Sequence, residues 1–324
     1  MRAEGVATAG SGKDREPWAL SAMPDQTGRL CVVTGANSGL GFLTARALAR
    51  KGARVIMTAR DAGRGEKALA RLRAELPDAA VEMRRLDLAD LDDVAAFAAH
   101  LLAEGRPVDR LVNNAGVMMP PRGLTRQGHE TQFGVNHLAH FALTLRLLPL
   151  LSAAPGARVV TVSSELHRRG RIHFEDLTGE RRYGRLAFYA QSKLANVLFG
   201  LELDRRLKAA RLAVVSLLAH PGYSDTNLQT SATSGLLRLF MRIGNRLLAQ
   251  DAGQGVLNQL HAATAEGLAG GEFIGPDGFG ERRGWPTRVQ PLPAATDPGL
   301  EERRCQRSAR LAGLSFPSGA GGVQ

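Results

Sequence analysis

The chain has 324 residues, of which 44% are hydrophobic and 23% are charged. This balance is typical of globular proteins and excludes a disordered or collagen-like chain. The formal net charge is +11, but the basic residues are spread among acidic ones and only 5% of residues are aromatic, which argues against a nucleic-acid-binding protein.

Targeting and covalent features of the sequence also exclude several classes of protein. No apolar run reaches the roughly 18 residues that a membrane span needs, and the charged first 24 residues lack the apolar core of a signal peptide. The two cysteines, Cys31 and Cys305, cannot form a disulfide framework. We therefore expect a protein of the reducing cytoplasm.

The predicted elements alternate along most of the chain. Residues 1–22 are small, polar and aperiodic and predict a flexible tail. Short β-branched segments then predict strands at Leu30–Thr34, Arg54–Thr58, Val81–Leu86, Val108–Val112, Arg158–Ser163 and Leu212–Leu218. Helical spacing predicts helices at 39–51, 62–75, 90–104, 124–151 and 189–209. This alternation is typical of an α/β fold, a doubly wound parallel sheet of the Rossmann type, in a single domain over 23–290.

The pattern loosens after Pro221. An amphipathic helix at 235–249 indicates a substrate lid at about 223–250, although packing in the core or at a dimer interface would produce the same pattern. Residues 252–266 fit a further helix, and Glu272–Ile274 a further strand. Residues 291–324 form a C-terminal extension.

A glycine-rich turn follows the first predicted strand. Gly35 allows a tight turn, Gly39 lets the backbone approach a phosphate, and Gly41 allows the helix to pack closely on the sheet. Backbone N–H groups at the start of the helix would then bind a pyrophosphate. The predicted contacts are Gly35, Asn37, Ser38, Gly39, Leu40 and Gly41. An ordinary loop is the alternative interpretation.

The ends of the next two strands indicate which dinucleotide is bound. Arg60 stands where an acidic residue would bind the adenosine ribose, and its guanidinium can pair with a 2′-phosphate. This favours NADP(H) over NAD(H), although the neighbouring acidic residue Asp61 weakens the inference. The alternative interpretation is that Arg60 is an ordinary surface arginine. Asp87 and Leu88 are placed beside the adenine. Asp87 is also a candidate helix cap, for which Asp90 is at least as well placed.

Tyr189 and Lys193 stand four residues apart, so they share one face of a helix. Carbonyl reduction needs a hydride donor and a group that protonates the developing alkoxide. A free tyrosine has a pKa of about 10, and a nearby ammonium group lowers that pKa by favouring the phenolate. The pair therefore predicts that Tyr189 is a catalytic acid and that Lys193 lowers its pKa. The alternative interpretation is that both residues are exposed on the helix surface.

The glycine-rich turn, Asn113–Gly116, Ser163-Ser164 and Tyr189–Lys193 together resemble the short-chain dehydrogenase/reductase family in order and spacing. The resemblance covers about residues 28–222 and is strongest for retinol-dehydrogenase-like and protochlorophyllide-reductase-like members. It implies that Ser164, with Ser163 as the alternative, holds the carbonyl oxygen and that Asn136 holds a proton-relaying water. It places the cofactor against Asn114, Ala115, Gly116, Tyr189, Lys193, Pro221, Gly222 and Thr226.

These observations predict an NADP(H)-dependent oxidoreductase that transfers a hydride between nicotinamide and a carbonyl or alcohol, acting on a lipophilic small molecule. A non-catalytic nucleotide-binding sensor or scaffold is the alternative. No metal is expected, because His137 and His140 lack a third ligand and are interpreted as helix-surface or interface residues. The helices at 124–151 and 189–209 resemble the dimer face of the family, which implies a homodimer or homotetramer.

Overall fold

A computed structural model describes residues 17–222, 252–292 and 298–316 of the chain. Its strands form an eight-stranded sheet in the order β3-β2-β1-β4-β5-β6-β7-β8. The strands are β1 (Leu30–Val33), β2 (Arg54–Ala59), β3 (Val81–Arg85), β4 (Arg110–Asn113), β5 (Arg158–Val162), β6 (Val215–Ala219), β7 (Phe273–Pro276) and β8 (Pro286–Val289). Strands β1 to β7 are parallel, and β8 is antiparallel to β7. The doubly wound sheet and the six predicted strands are confirmed; β8 was not predicted.

Helices lie on both faces of this sheet. They are α1 (Gly39–Arg50), α2 (Ala62–Glu75), α3 (Leu91–Glu104), α4 (Thr131–Phe133), α5 (Ala139–Ser152), α6 (Arg185–Ala209), α7 (Ala252–Thr264) and α8 (Pro298–Ala312). A π-helical turn, Gly134–Leu138, joins α4 to α5, so the helix predicted at 124–151 begins at Thr131 and is interrupted by one π-turn. Within the parts of the chain that the structure describes, no helix has the length and apolar character of a membrane span.

Strand β1 shows how the layers are built. All four of its residues are buried, as expected for a parallel strand covered on both faces. Leu30 and Val32 pack with α3 and α5, whereas Cys31 and Val33 pack with α1, α2 and α7. The two-residue period of a strand thus divides one short sequence between two hydrophobic layers.

Local signals set the ends of the helices beside the sheet. The Asp61 carboxylate accepts a hydrogen bond from the backbone N–H of Arg64 and caps α2. Asp90 caps α3 in the same way, and Gly105 ends that helix in the left-handed conformation at φ +66°. The capping role considered for Asp87 therefore belongs to Asp90.

The domain begins earlier than residue 23. Trp18 is half-buried and packs edge-on against His261, with ring centroids 5.1 Å apart. A short 3-10 turn, Leu20–Ala22, then leads into the sheet. Trp18 thus packs on the domain, and residues 1–16 of the expected tail lie outside the described residues.

Helix α8 belongs to the folded body of the protein. The buried Arg304 guanidinium lies 4.1 Å from the centre of the Phe133 ring, and burial lowers its pKa to about 9. Ser308 and His137 share a hydrogen bond of 2.8 Å, and Phe316 packs edge-on against Phe141. The region expected to be only an extension therefore contains a packed helix.

The position of α8 bears on the expected oligomer. It packs mainly on α6 and also on α5, the two helices that the sequence interpretation assigned to a dimer face. A dimer built on that face would have to displace α8 or use the part of the face that α8 leaves open.

We expect the Ser308→Ala variant to lose about 1–2 kcal/mol of unfolding free energy. The reason is that the substitution leaves Nε2 of the buried His137 without its hydrogen-bond partner. Urea denaturation of this variant and of the exposed-site control Arg310→Ala would measure the loss. Equal stabilities of the two variants would contradict the role assigned to this contact.

Candidate active site

The glycine-rich turn leaves the start of α1 open to a ligand. Ser38 precedes the helix but makes no side-chain capping hydrogen bond, so the first N–H groups of α1 keep their donor capacity. Gly39 has φ +54°, and a Cβ atom there would meet open space. By contrast, a Cβ atom on Gly41 would lie 2.5 Å from Asn114 Nδ2. The residues thus fit a phosphate-bearing group, with one glycine facing the cavity and another packed against β4.

Thr34 links this turn to β4 and α5. Its hydroxyl oxygen accepts hydrogen bonds from the backbone N–H groups of Asn114 and Ala115, each at 2.9 Å, and lies 2.9 Å from His140 Nε2. His140 Nδ1 lies 3.0 Å from the backbone oxygen of Asn136, which can only accept. Burial lowers the pKa of His140 to about 4, so the ring is neutral, Nδ1 carries the proton, and the Thr34 hydroxyl donates to Nε2.

The two histidines are therefore not surface residues. His140 is enclosed by the Thr34 and Asn136 contacts, and His137 lies between Asn196 Oδ1 at 3.3 Å and Ser308. Burial holds the pKa of His137 well below its usual value. The expectation of helix-surface or interface positions was wrong because π-turn packing turns both rings into the core. Within the described residues, no group of three or more His, Cys, Asp or Glu side chains could hold a metal.

One cavity of about 540 Å³ runs along the carboxyl ends of the parallel strands. It gathers most of the predicted site residues, namely Gly35, Asn37, Ser38, Gly39, Leu40, Gly41, Arg60, Asp87, Leu88, Asn114, Ala115, Gly116, Ser164, Tyr189, Lys193, Pro221 and Gly222. Asn136 does not line the cavity; its side chain binds the backbone of Val117, which does. Thr226 and the expected lid at about 223–250 lie outside the described residues.

The adenosine end of the cavity is more basic than the sequence indicated. Arg64 lines it together with Arg60 and Asp61. The Asp61 carboxylate is engaged by the backbone at the start of α2, which leaves two guanidinium groups for a phosphate. Sequence reasoning missed Arg64, although its place in the first turn of a helix after Arg60 is a usable signal.

At the other end, β5 and α6 bring together three side chains. Ser164 follows β5, and its side chain shares a hydrogen bond with the Tyr189 hydroxyl. Ser163 instead donates its hydroxyl to the backbone oxygen of Lys193 at 2.9 Å. Of the two serines, Ser164 is thus the one whose side chain reaches the Tyr189 hydroxyl.

Burial dominates the electrostatics of the tyrosine–lysine pair. It raises the pKa of Tyr189 to about 12 and lowers the pKa of Lys193 to about 8. The lysine Nζ lies 5.8 Å from the centre of the tyrosine ring and donates to the backbone oxygen of Val162 at 3.1 Å. The expected lowering of the tyrosine pKa by Lys193 is therefore not found: desolvation and the charge of Glu165 raise the pKa, and the hydrogen bond with Ser164 opposes them only in part.

Asn136 uses its side chain to fix the loop after β4. Its Oδ1 accepts from the backbone N–H of Val117 at 2.7 Å, and its Nδ2 donates to Val117 O at 2.9 Å and to Ser192 Oγ at 3.0 Å. Both amide protons are therefore occupied. The side chain thus holds the loop after β4, and the expected role of Asn136 in holding a relay water stays a prediction.

Several cavity residues were not found from the sequence. Four apolar side chains form a wall near the tyrosine, namely Val117, Met118, Val135 and Leu166. Glu165 lines the same region, and burial raises the pKa of its carboxyl group. No sequence pattern marks these residues, because they come from loops and turns whose side chains meet only in the folded chain.

Comparisons with known proteins show the family to which the chain belongs. The family model for short chain dehydrogenases matches residues 29–236. Human retinol dehydrogenase 12 is 45% identical over 241 residues, covering 74% of this chain and 75% of its own length. Mouse polyprenol dehydrogenase is 40% identical over 297 residues, covering 90% and 86%.

Two solved structures extend the comparison to the fold. An uncharacterized protein from Mycobacterium Paratuberculosis is 42% identical, with a TM-score of 0.78, covering 94% of this chain and 100% of its own. A Beutenbergia cavernae protein, assigned as an NAD(P)-dependent gluconate 5-dehydrogenase with bound NADP, is 27% identical with a TM-score of 0.61. It covers 77% of this chain and 95% of its own.

The low pKa of Lys193 predicts a pH-dependent stability. Between its folded pKa of about 8 and its ordinary pKa of 10.5, the unfolded chain binds more protons, so stability rises with pH. Relative to Lys193→Met, we expect the unfolding free energy of the wild type to rise by about 2 kcal/mol from pH 7 to pH 9.5. Urea denaturation at both pH values measures this, with Lys67→Met as the exposed control. Parallel pH profiles of wild type and Lys193→Met would rule the shift out.

Proposed function

We propose that this chain, which belongs to the short-chain dehydrogenase family, transfers a hydride between NADP(H) and the carbonyl or alcohol group of a largely apolar small molecule. Family membership makes the chain an NAD(P)-dependent dehydrogenase/reductase. One observation carries the finer proposal: Ser164, Tyr189 and Lys193 line the same cavity as the open glycine-rich turn.

The cofactor would lie along the strand ends. Backbone N–H groups of the turn Gly35–Gly41 would hold the pyrophosphate, Asn114–Gly116 would border the adenosine side, and Pro221-Gly222 would border the nicotinamide. Arg60 and Arg64 favour the 2′-phosphate of NADP(H), and the Beutenbergia cavernae structure holds NADP. When bound, the nicotinamide supplies or accepts the hydride.

The protein side chains handle the proton and the oxygen. Tyr189 has a pKa of about 12, so it is a protonated phenol at neutral pH and can donate to the oxygen of a carbonyl under reduction. Ser164 would hydrogen-bond the same oxygen, since it already reaches the Tyr189 hydroxyl. Lys193, with a pKa of about 8, can exchange protons near neutrality, and Asn136 holds the loop that faces it.

The apolar wall supports a lipophilic substrate. Val117, Met118, Val135 and Leu166 surround the region beside Tyr189, and burying apolar substrate surface against them is favourable. Similar proteins are named for retinol and polyprenol, which are both apolar alcohols. A screen of aldehydes and ketones of increasing chain length with NADPH would identify the preferred class.

Tyr189→Phe tests the proposed acid. Loss of the phenolic proton should lower kcat/KM for NADPH-dependent carbonyl reduction by about 10²–10⁴-fold and leave NADPH affinity nearly unchanged. Tyr183→Phe is the matched control, because Tyr183 does not line the cavity and its hydroxyl donates to the backbone oxygen of Pro120 or to Glu130. Normal turnover by Tyr189→Phe would eliminate this mechanism.

Arg60→Ala tests the choice of cofactor. Fluorescence titration should show an NADPH Kd about tenfold higher in this variant, since a charge-assisted contact to the 2′-phosphate is lost. The NADH Kd should change less than about twofold, because NADH lacks that phosphate. The exposed-site variant Arg106→Ala serves as the control. Equal weakening of both cofactors would assign Arg60 a structural role instead.

A further inference from the structure

Glu165 places a carboxyl group in the wall of the cavity, one residue after Ser164. Its Oε2 atom is buried and has no hydrogen-bond partner among the described residues. A buried carboxylate oxygen without a partner is unfavourable, and a ligand that brings a donor would relieve that cost. The position and the missing partner together indicate that the Glu165 carboxyl group recognises a donor group of a ligand; we call it the recognition group.

Three basic groups act on Glu165 through their charge, namely His220, Arg169 and Arg282. His220 is paired with another acid, Glu281, which also binds Arg168. Arg168 lies 2.6 Å from one carboxylate oxygen of Glu281, and His220 lies 3.0 Å from the other. Glu281 thus takes both partners, and Glu165 keeps its acceptor capacity for a group inside the cavity.

The surroundings of Glu165 favour a neutral donor over a cation. Arg169 and Arg282 are exposed, and each acts on the Glu165 carboxylate through its charge without a hydrogen bond. Because these positive charges already offset the carboxylate, an ammonium group would gain less attraction and would still have to be desolvated. A hydroxyl group can donate to Oε2 at lower cost.

The recognition group lies close to the reacting centre. The charge of Glu165 acts on the Tyr189 hydroxyl, which shares a hydrogen bond with Ser164. Glu165 directly follows Ser164 in the chain and lines the same cavity, so a group that donates to its Oε2 would belong to a part of the substrate near the oxygen held by Ser164 and Tyr189.

We propose that Glu165 recognises a hydroxyl group on the carbon next to the reacting carbonyl. The substrate is then an otherwise apolar α-hydroxy ketone or aldehyde, and the corresponding alcohol is a vicinal diol. The inference rests on the proposed function for the identity of the reacting group. The rest of the molecule would pack against the apolar wall of Val117, Met118 and Val135.

A binding experiment tests recognition without turnover. Calorimetric titration of the full chain with 1,2-octanediol and 2-octanol should show about tenfold tighter binding of the diol, as expected for a hydrogen bond to a charged group. In Glu165→Leu the two affinities should become equal while 2-octanol still binds, which also shows that the cavity remains folded. Glu165→Gln keeps an acceptor oxygen and should retain part of the preference.

Two outcomes overturn the proposal. One is an unchanged diol preference in Glu165→Leu, and the other is tighter binding of 1-amino-2-octanol than of the diol, which would show that the partner is a cation. Glu175→Leu replaces an exposed acid of the same segment and should keep the wild-type preference.

Turnover separates this inference from the proposed function. With NADPH, 1-hydroxy-2-octanone should be reduced with a kcat/KM about tenfold above that of 2-octanone, and Glu165→Leu should abolish this ratio. Reduction of both ketones at equal rates would overturn the role of Glu165 and leave the oxidoreductase assignment standing. A diol preference in binding without any reduction would overturn the proposed function and keep Glu165 as a recognition residue.

Discussion

The hydroxyl of Thr34 is the contact on which both ends of the site depend. It accepts from the loop after β4 and donates to His140, and His140 in turn donates to the backbone of Asn136. The Thr34 O–H has two acceptors within reach, Val112 O at 3.3 Å and His140 Nε2 at 2.9 Å; the shorter contact favours His140, whose neutral imidazole has one donor and one acceptor. The chain of hydrogen bonds therefore fixes the glycine-rich turn, the β4 loop and the π-helical turn relative to one another.

Burial is the second determinant of the site, and it acts on the tyrosine and the lysine in opposite directions. It keeps the proton on Tyr189 and makes Lys193 easier to deprotonate, so burial disfavours charge on both groups. In the proposed reaction, Tyr189 would keep its proton until a substrate oxygen begins to carry negative charge. The unpaired oxygen of Glu165 is the exception, because it keeps a polar acceptor within a mostly apolar wall.

Periodicity and local motifs were sufficient to predict the nucleotide-binding half. Strands β1 to β6 and the turn at Gly35–Gly41 carry their signals in contiguous residues, and the parallel sheet follows from their alternation with helices. The π-helical turn at Gly134–Leu138 was not predictable, because side-chain contacts such as that of Asn136 with Val117 select it over a regular helix. Helix α8 was missed for a related reason: its buried face contains Arg304 and Ser308, which are polar residues that pack only because Phe133 and His137 meet them.

The two edges of the sheet restrict how copies of this chain can associate. At one edge, β3 carries Arg84 in ion pairs with Glu82 and Glu104; at the other, β8 begins with Pro286 and holds Arg288 against Glu272. Proline and charged side chains on an edge strand oppose the addition of a further strand. Continuous β-pairing between molecules, the usual route from an open sheet to fibrous aggregates, is therefore disfavoured at both ends, and contacts between copies are left to the helical layers.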